Sequence, residues 1–151
     1  MNIEIKENER RPVIGMRRKI NVAEVGDFIR EAFSAVGPFF ESNGMEMTGP
    51  PVSIYYAVNG SEMDVAAGAP VTQVTAITDE ISEFELAGGK AATAIYTGPY
   101  EGIGAAWGEF MSEISGRGET AVEPCWEEYI TDPTTEPDSS KWQTLLVQPL
   151  A

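Results

Sequence analysis

Glu85-Leu-Ala-Gly-Gly-Lys-Ala-Ala-Thr-Ala-Ile-Tyr-Thr-Gly-Pro-Tyr-Glu-Gly-Ile-Gly-Ala-Ala-Trp107 decides how the chain folds. Gly88-Gly89 is turn material, because glycine reaches positive φ without a steric penalty. Lys90 to Tyr96 reads as a strand, and with Glu83-Phe-Glu-Leu-Ala87 before the turn it makes a hairpin candidate. Gly98-Pro99 stops that strand, since proline lacks a backbone donor. Apolar residues then recur at 103, 106, 107, 110, 111 and 114, the spacing of one helical face. Gly116 and Gly118 end the helix.

The same order extends outward. Downstream, Cys125 to Thr131 is a strand, Asp132 to Ser140 a polar loop with proline, and Trp142 to Gln148 a last strand closed by Pro149. Upstream, Pro12-Val-Ile-Gly-Met16 is a strand, and Asn21 with Glu24 forms a capping box. The apolar positions 25, 28, 29, 32, 33, 36, 39 and 40 that follow make a helical stripe. Gly37-Pro38 predicts a kink or break near Val36, and Gly44 a C-terminal stop. Val52 to Val58, the turn signal Asn59-Gly60 and Met63 to Ala67 make a hairpin. Gly68 to Asp79 is weakly patterned: a strand around Val71 to Val74, or a connection.

Each half therefore runs strand, helix, glycine exit, strand, connection, strand, with pseudo-repeats at about 1–80 and 81–151. A gapless alignment at an offset of 73 pairs Pro51 with Pro124 and Tyr56 with Tyr129. The expected fold class is α+β: a duplicated βαββ unit of SHS2 type in one domain over 1–151. Two helices pack on one face of a pseudo-twofold antiparallel sheet, and a central cleft opens where the halves meet, on the side away from the helices.

Composition narrows the function. Apolar residues are 42% of the chain and charged residues 23%, ordinary globular values. No membrane-length apolar run and no signal-peptide pattern is present. One cysteine, Cys125, cannot form an internal disulfide and reads as a small buried hydrophobe. Together these point to the cytoplasm. The 24 acids against 10 bases leave a net charge of −14, which opposes direct nucleic-acid and anionic-membrane binding and favours a cationic ligand or a basic protein partner. Histidine is absent, which excludes Ser-His-Asp and Cys-His catalysis, and one cysteine excludes four-thiolate zinc sites. No metal and no cofactor is expected.

The stretch Glu85 to Trp107 resembles the central signature of the GyrI-like small-molecule-binding domain, the effector-binding module of BmrR- and Rob-type regulators. Trp126-Glu-Glu-Tyr-Ile-Thr-Asp-Pro133 is similar to the family's E-x-Y-x-x-D-P strand, and Lys141 to Leu150 to its closing strand. The chain departs mildly at Leu-Ala-Gly-Gly, where proline is frequent, and at Leu145, where an acid is frequent. The resemblance implies a duplicated βαββ fold around a cavity that binds lipophilic, often cationic compounds, with the acid of the cavity floor falling on Glu127.

Along a strand the side chains alternate, so Glu127 and Tyr129 share one face while Trp126, Glu128 and Ile130 share the other. The motif selects the Glu127 face, and the repeat adds Ile54 and Tyr56 to it. The ligand-binding candidates are Glu127, Tyr129, Tyr56, Trp107, Tyr100 and Phe40, with plain helix core the competing role for Phe40 and Trp107. Rings around a carboxylate suit a cation. Glu128 needs solvent or a basic partner on the helix side. The leading expectation is a stand-alone binding module that senses or sequesters a hydrophobic, cationic molecule. The alternative, also implied by the resemblance, is hydrolysis of cyclopropane-containing alkylating compounds, with Glu127 as base and Tyr56 or Tyr129 as proton donor. The weakest is a gyrase-inhibitor-like protein-interaction module, because the acids are scattered.

Overall fold

The computed structural model describes residues 1–151. Ten regular elements follow one another: β1 (Glu4–Asn8), β2 (Arg11–Asn21), α1 (Val25–Asn43), β3 (Val52–Asn59), β4 (Glu62–Pro70), β5 (Ser82–Leu86), β6 (Gly89–Thr97), α2 (Ile103–Gly116), β7 (Cys125–Tyr129) and β8 (Gln143–Pro149). Asn21 Oδ1 accepts the Ala23 N–H at 2.9 Å and caps the short turn that leads into α1. Gly44, at φ 62°, ends that helix as its left-handed cap. Pro38 neither breaks nor divides α1, which runs through it to Asn43. The buried stripe Phe28, Ala32, Val36 and Phe40 spans the proline, so packing outweighs one lost backbone bond.

All eight strands join one antiparallel sheet in the order β1-β6-β8-β7-β3-β4-β2-β5. Exchanging β1–β4 for β5–β8 and reversing the list returns the same order, so the α+β duplication is built into the pairing. Its axis passes between β3 and β7. Each half also lends its first strand to the other: β1 pairs with β6 and β5 with β2. The hairpin expected across Gly88-Gly89 therefore does not form, although both of its strands do. Two-residue connections, Glu9-Arg10 and Ala87-Gly88, join strands from opposite ends of the sheet. Such short links bring the ends together, and the sheet curls into a half-barrel. Gly15 and Gly68 face each other in the β2–β4 pair, where a Cβ on either would collide with the opposite backbone. Val71 makes a lone bridge to Met47, so the segment after β4 is a connection.

Side-chain parity assigns the two faces. Leu146 stands opposite Glu127, Glu127 opposite Ser53, and Val65 opposite Tyr55. α2 lays Ile103, Ala106 and Phe110 on Ala92, Ala94 and Leu146, while α1 lays Phe28 and Ala32 on Met16, Val65 and Ala67. Both helices thus cover the face that carries Glu127. α1 sits over β2 and β4 and α2 over β6, which leaves β3 and β7 open between them. The cleft lies there, on the helix side, contrary to the expectation of a cleft on the far side. The far face is the inside of the curl. Val13, Val52, Ile54, Leu86, Ala91 and Val147 close it around Trp126.

Glu128 points into that curl, away from the helices, and its cation is Arg11 of β2, at 2.7 Å from Oε2, with Trp126 Nε1 donating at 3.0 Å. Removing Arg11 leaves a buried carboxylate without its cation. Arg11→Met should destabilise the fold by about 2–3 kcal/mol, at the low end for broken buried pairs because Arg11 is partly exposed. Adding Glu128→Leu should restore most of the loss in urea unfolding, and a double variant no more stable than the single one would contradict this. Gly68→Ala should lower stability by about 2 kcal/mol or more in the same assay, against under 0.5 for a typical surface change.

Candidate functional site

The cleft between the helices has a volume of about 1420 Å³. Its floor is β3 and β7, its sides are the N-terminal turns of α1 and the start of α2, and the segment after β7 borders it. Pro50 and Pro51 before β3 and Ile130 to Thr134 after β7 continue the two central strands into the rim.

Glu127 lies at the floor and is 4% exposed. Tyr129 OH donates to its Oε1 at 2.6 Å and Tyr55 OH at 3.0 Å, while Trp107 Nε1 donates to Oε2 at 2.6 Å. Tyr129 has one proton, committed to Glu127, so the Ser53 hydroxyl, 3.0 Å away, donates to Tyr129 in turn. Each donor is placed by its own element. Tyr129 is two residues along the same strand, Tyr55 is on the paired strand β3, and Trp107 is one turn into α2. Burial raises the Glu127 carboxyl above its ordinary range, against the pull of these three hydrogen bonds. Burial, with the adjacent Glu127 charge adding to it, also pushes both phenols well up, so Tyr55 and Tyr129 stay protonated and act as donors.

Aromatic rings continue from this centre to the mouth. Tyr129 meets Phe33 of α1 edge-on at 5.9 Å and Tyr100 at 5.7 Å, and Tyr100 lies 4.8 Å from Trp142. Val22, Met47, Val58, Tyr100 and Ile130 are exposed apolar side chains, and all of them line the cleft. Two charged residues border it besides Glu127. Arg30 bonds to Asp27, and Asp132 Oδ1 is held by the backbone N–H and hydroxyl of Thr134, which keep its carboxyl below the usual range. Cys125 also lines the cleft. It is half-buried, and burial followed by the Glu127 charge pushes its thiol up to about 11, so it is a poor nucleophile.

Of the residues expected from sequence, Glu127, Tyr129, Trp107 and Tyr100 come together here, and Tyr56 and Phe40 do not. Phe40 is 4% exposed in the core under α1, with Ile14, Val36, Met45, Ala69 and Val71. Tyr56 lies on the opposite face, its ring 3.8 Å beneath the Arg17 guanidinium, which is itself paired with Asp64. The cause is one residue of register. Antiparallel pairing sets Ser53 against Glu127 and Tyr55 against Cys125, so odd positions of β3 share the Glu127 face. An offset of 73 selects even ones, and Ile54 with them, and a one-residue slip flips every side chain. A bulge between Tyr55 and Ala57 then leaves Tyr56 as the extra residue against β4. The residues missed were Tyr55 and Phe33; an antiparallel pairing of β3 with β7 would have pointed to Tyr55.

No helix is long and apolar enough to cross a membrane, and no cluster of three or more potential metal ligands is present. No curated protein matches the sequence. Among solved structures, the EcmrR C-terminal domain is similar at a TM-score of 0.84 and 21% identity, covering 99% of this chain and 97% of that one. EcmrR in its DNA complex gives 0.84 and 20%, and there this chain, 99% covered, spans 57% of the regulator. SAV2435 bound to tetraphenylphosphonium gives 0.76 and 12%, with 100% and 94% covered. These likenesses show the fold. A family model of the GyrI-like small molecule binding domain matches residues 1–151, and the chain belongs to that family.

Proposed function

We propose that the cleft binds a bulky lipophilic cation, with its charge at Glu127 and its apolar arms against Tyr55, Phe33, Trp107, Tyr129 and Tyr100. One observation carries this reading. Glu127 and Glu128 are adjacent, buried acids, yet Arg11 serves Glu128 while Glu127 has only neutral donors. A buried carboxylate without a cation is costly, and a ligand can supply the missing charge. Stacked rings add about 0.5–2 kcal/mol each by cation–π attraction. The cleft exceeds the roughly 300–1,000 Å³ of ordinary ligand pockets, which suits a multi-ring guest. The tetraphenylphosphonium held by SAV2435, on the same fold, supports the choice of ligand class. Sensing or sequestration is the role that follows. The charge of −14 opposes direct contact with nucleic acid.

A second reading is hydrolysis of a strained, alkylating compound, favoured by the two phenols on Glu127 and by fold likeness to a hydrolase from Listeria innocua, at a TM-score of 0.65 and 10% identity. Its proton donor would be Tyr55 or Tyr129, since Tyr56 is on the wrong face. Both phenols aim at the base itself, an arrangement that holds charge rather than delivers protons.

Tetraphenylphosphonium should bind and change Trp107 fluorescence. Glu127→Gln should weaken it by about tenfold or more, equivalent to at least 1.4 kcal/mol, while Tyr56→Phe and Phe40→Leu stay near wild type. Equal calorimetric affinity for wild type and Glu127→Gln removes the proposal. The hydrolase reading requires product from a cyclopropane-containing substrate, absent with Glu127→Gln.

Stability carries a second signature. The carboxyl is raised in the fold relative to the unfolded chain, so the native state holds more protons in that window. Stability of wild type relative to Glu127→Gln should therefore fall as pH rises from about 4.5, and level off once Glu127 is ionised in the fold. Urea unfolding of the empty proteins across pH measures this; a difference that stays flat contradicts the burial argument.

A further inference from the structure

Proline inside a helix crowds the Cβ of the residue before it, and at Pro38 that residue is Gly37, which has none. A Cβ at Gly37 would meet no atom within 4 Å, so the space beside this turn of α1 is open. It belongs to a small chamber of about 90 Å³ between α1, β4 and the segment that leads to β3. Val36, Gly37 and Phe40 form the α1 wall, and no lining side chain carries a charge or a polar N–H or O–H. Phe33, Met47 and Pro51 line both this chamber and the main cleft, so the two spaces adjoin. The other helix is bulkier at the equivalent turn. The buried stripes of the two helices coincide when Ala32 is set on Ala106, Val36 on Phe110 and Phe40 on Ile114, and the same shift sets Tyr55 on Tyr129. Fully buried Phe110 and its neighbour Met111 thus stand where α1 has Val36 and Gly37.

We infer, resting on the reading of the cleft as a cation site, that this chamber receives one short alkyl arm of the guest, and that Val36 and Gly37 set the length of that arm. The preferred ligand class is then a cation with aryl arms and a single alkyl arm. Size excludes a ring from the chamber, since an apolar cavity that holds benzene is larger, at about 150 Å³. A volume of 90 Å³ is that of about three water molecules in the liquid, which fits a chain of about three or four carbons. Met47 is the adaptable part of the entrance. Its backbone is pinned by the lone bridge to Val71, while its side chain is 47% exposed and unbranched, free to swing aside for an arm that enters.

Calorimetry on the full chain with methyl-, butyl- and octyltriphenylphosphonium, beside the all-aryl tetraphenylphosphonium, tests this. In the wild type, affinity should rise by about tenfold or more from methyl to butyl, at up to roughly fourfold per buried methylene, and much less from butyl to octyl. Val36→Phe fills the chamber with the side chain that α2 already holds at the equivalent position. It should reduce the methyl-to-butyl rise to that of one methylene or less, while tetraphenylphosphonium binds as before. Val36→Leu fills the chamber in part and should give an intermediate rise; it carries the test if urea unfolding shows that the larger side chain destabilises the fold. A rise of equal size in the wild type and the variants, or no rise at all, with tetraphenylphosphonium bound normally, overturns this inference and leaves the proposed function intact. Failure of all four phosphonium ions to bind overturns both.

Discussion

The hydrogen-bonded carboxylate of Glu127 is the constraint around which the centre of this molecule is arranged. A group 4% exposed and without a cation must be stabilised by dipoles or else take up a proton. Three donors meet that need, and they come from β3, β7 and α2. The interaction therefore ties the two halves of the sheet to each other and to one helix at a single point. Each donor is itself an aromatic side chain, so the groups that hold the acid also form the apolar wall beside it.

The topology explains why that point is hollow. The helices pack on β2, β4 and β6, and the pseudo-axis passes between β3 and β7. Any helix placed by the repeat is displaced from the axis, and its copy is displaced the other way. A gap over the two central strands is the geometric result. The contents of the gap are not symmetric. Opposite Glu127 the first half offers Ser53, and beside it Tyr55, but no acid. The result is a near-symmetric cleft with a single carboxyl at its floor.

Much of this was legible in the sequence, and the failures share one cause. Helix ends, the Asn59-Gly60 hairpin and the strands β7 and β8 follow from local chemistry, and the sequence patterns mark them. The exchange of β1 and β5 between halves was not legible, because a Gly-Gly turn between two strand-like runs favours a local hairpin and says nothing of a distant partner. Pro38 misled for a related reason: its penalty is local, while the buried stripe of α1 that outweighs it is tertiary. The side of the cleft and the choice of Tyr56 over Tyr55 both depended on parity across strands. Parity is fixed by register, and a repeat alignment with few identities cannot fix register to one residue. Phe40 stood on a stripe that looked alike at the core and at the cleft. Only its height along α1 separates it from Phe33, two turns earlier.

Glu127 and Glu128 show how little sequence separates an acid paired with a cation from one held by neutral donors alone. They are neighbours with the same side chain, and both are buried. Strand alternation sends them to opposite faces, one into the closed curl and one to the open gap between helices. In the curl, the strand exchange that closes the half-barrel also brings Arg11 within reach, and the charge is settled within the fold. At the gap no element crosses the axis to deliver a base, so neutral donors are all that the surrounding strands and helix provide. The lack of a cation beside Glu127 is thus a consequence of where the duplication axis runs, and three neutral donors stand in its place.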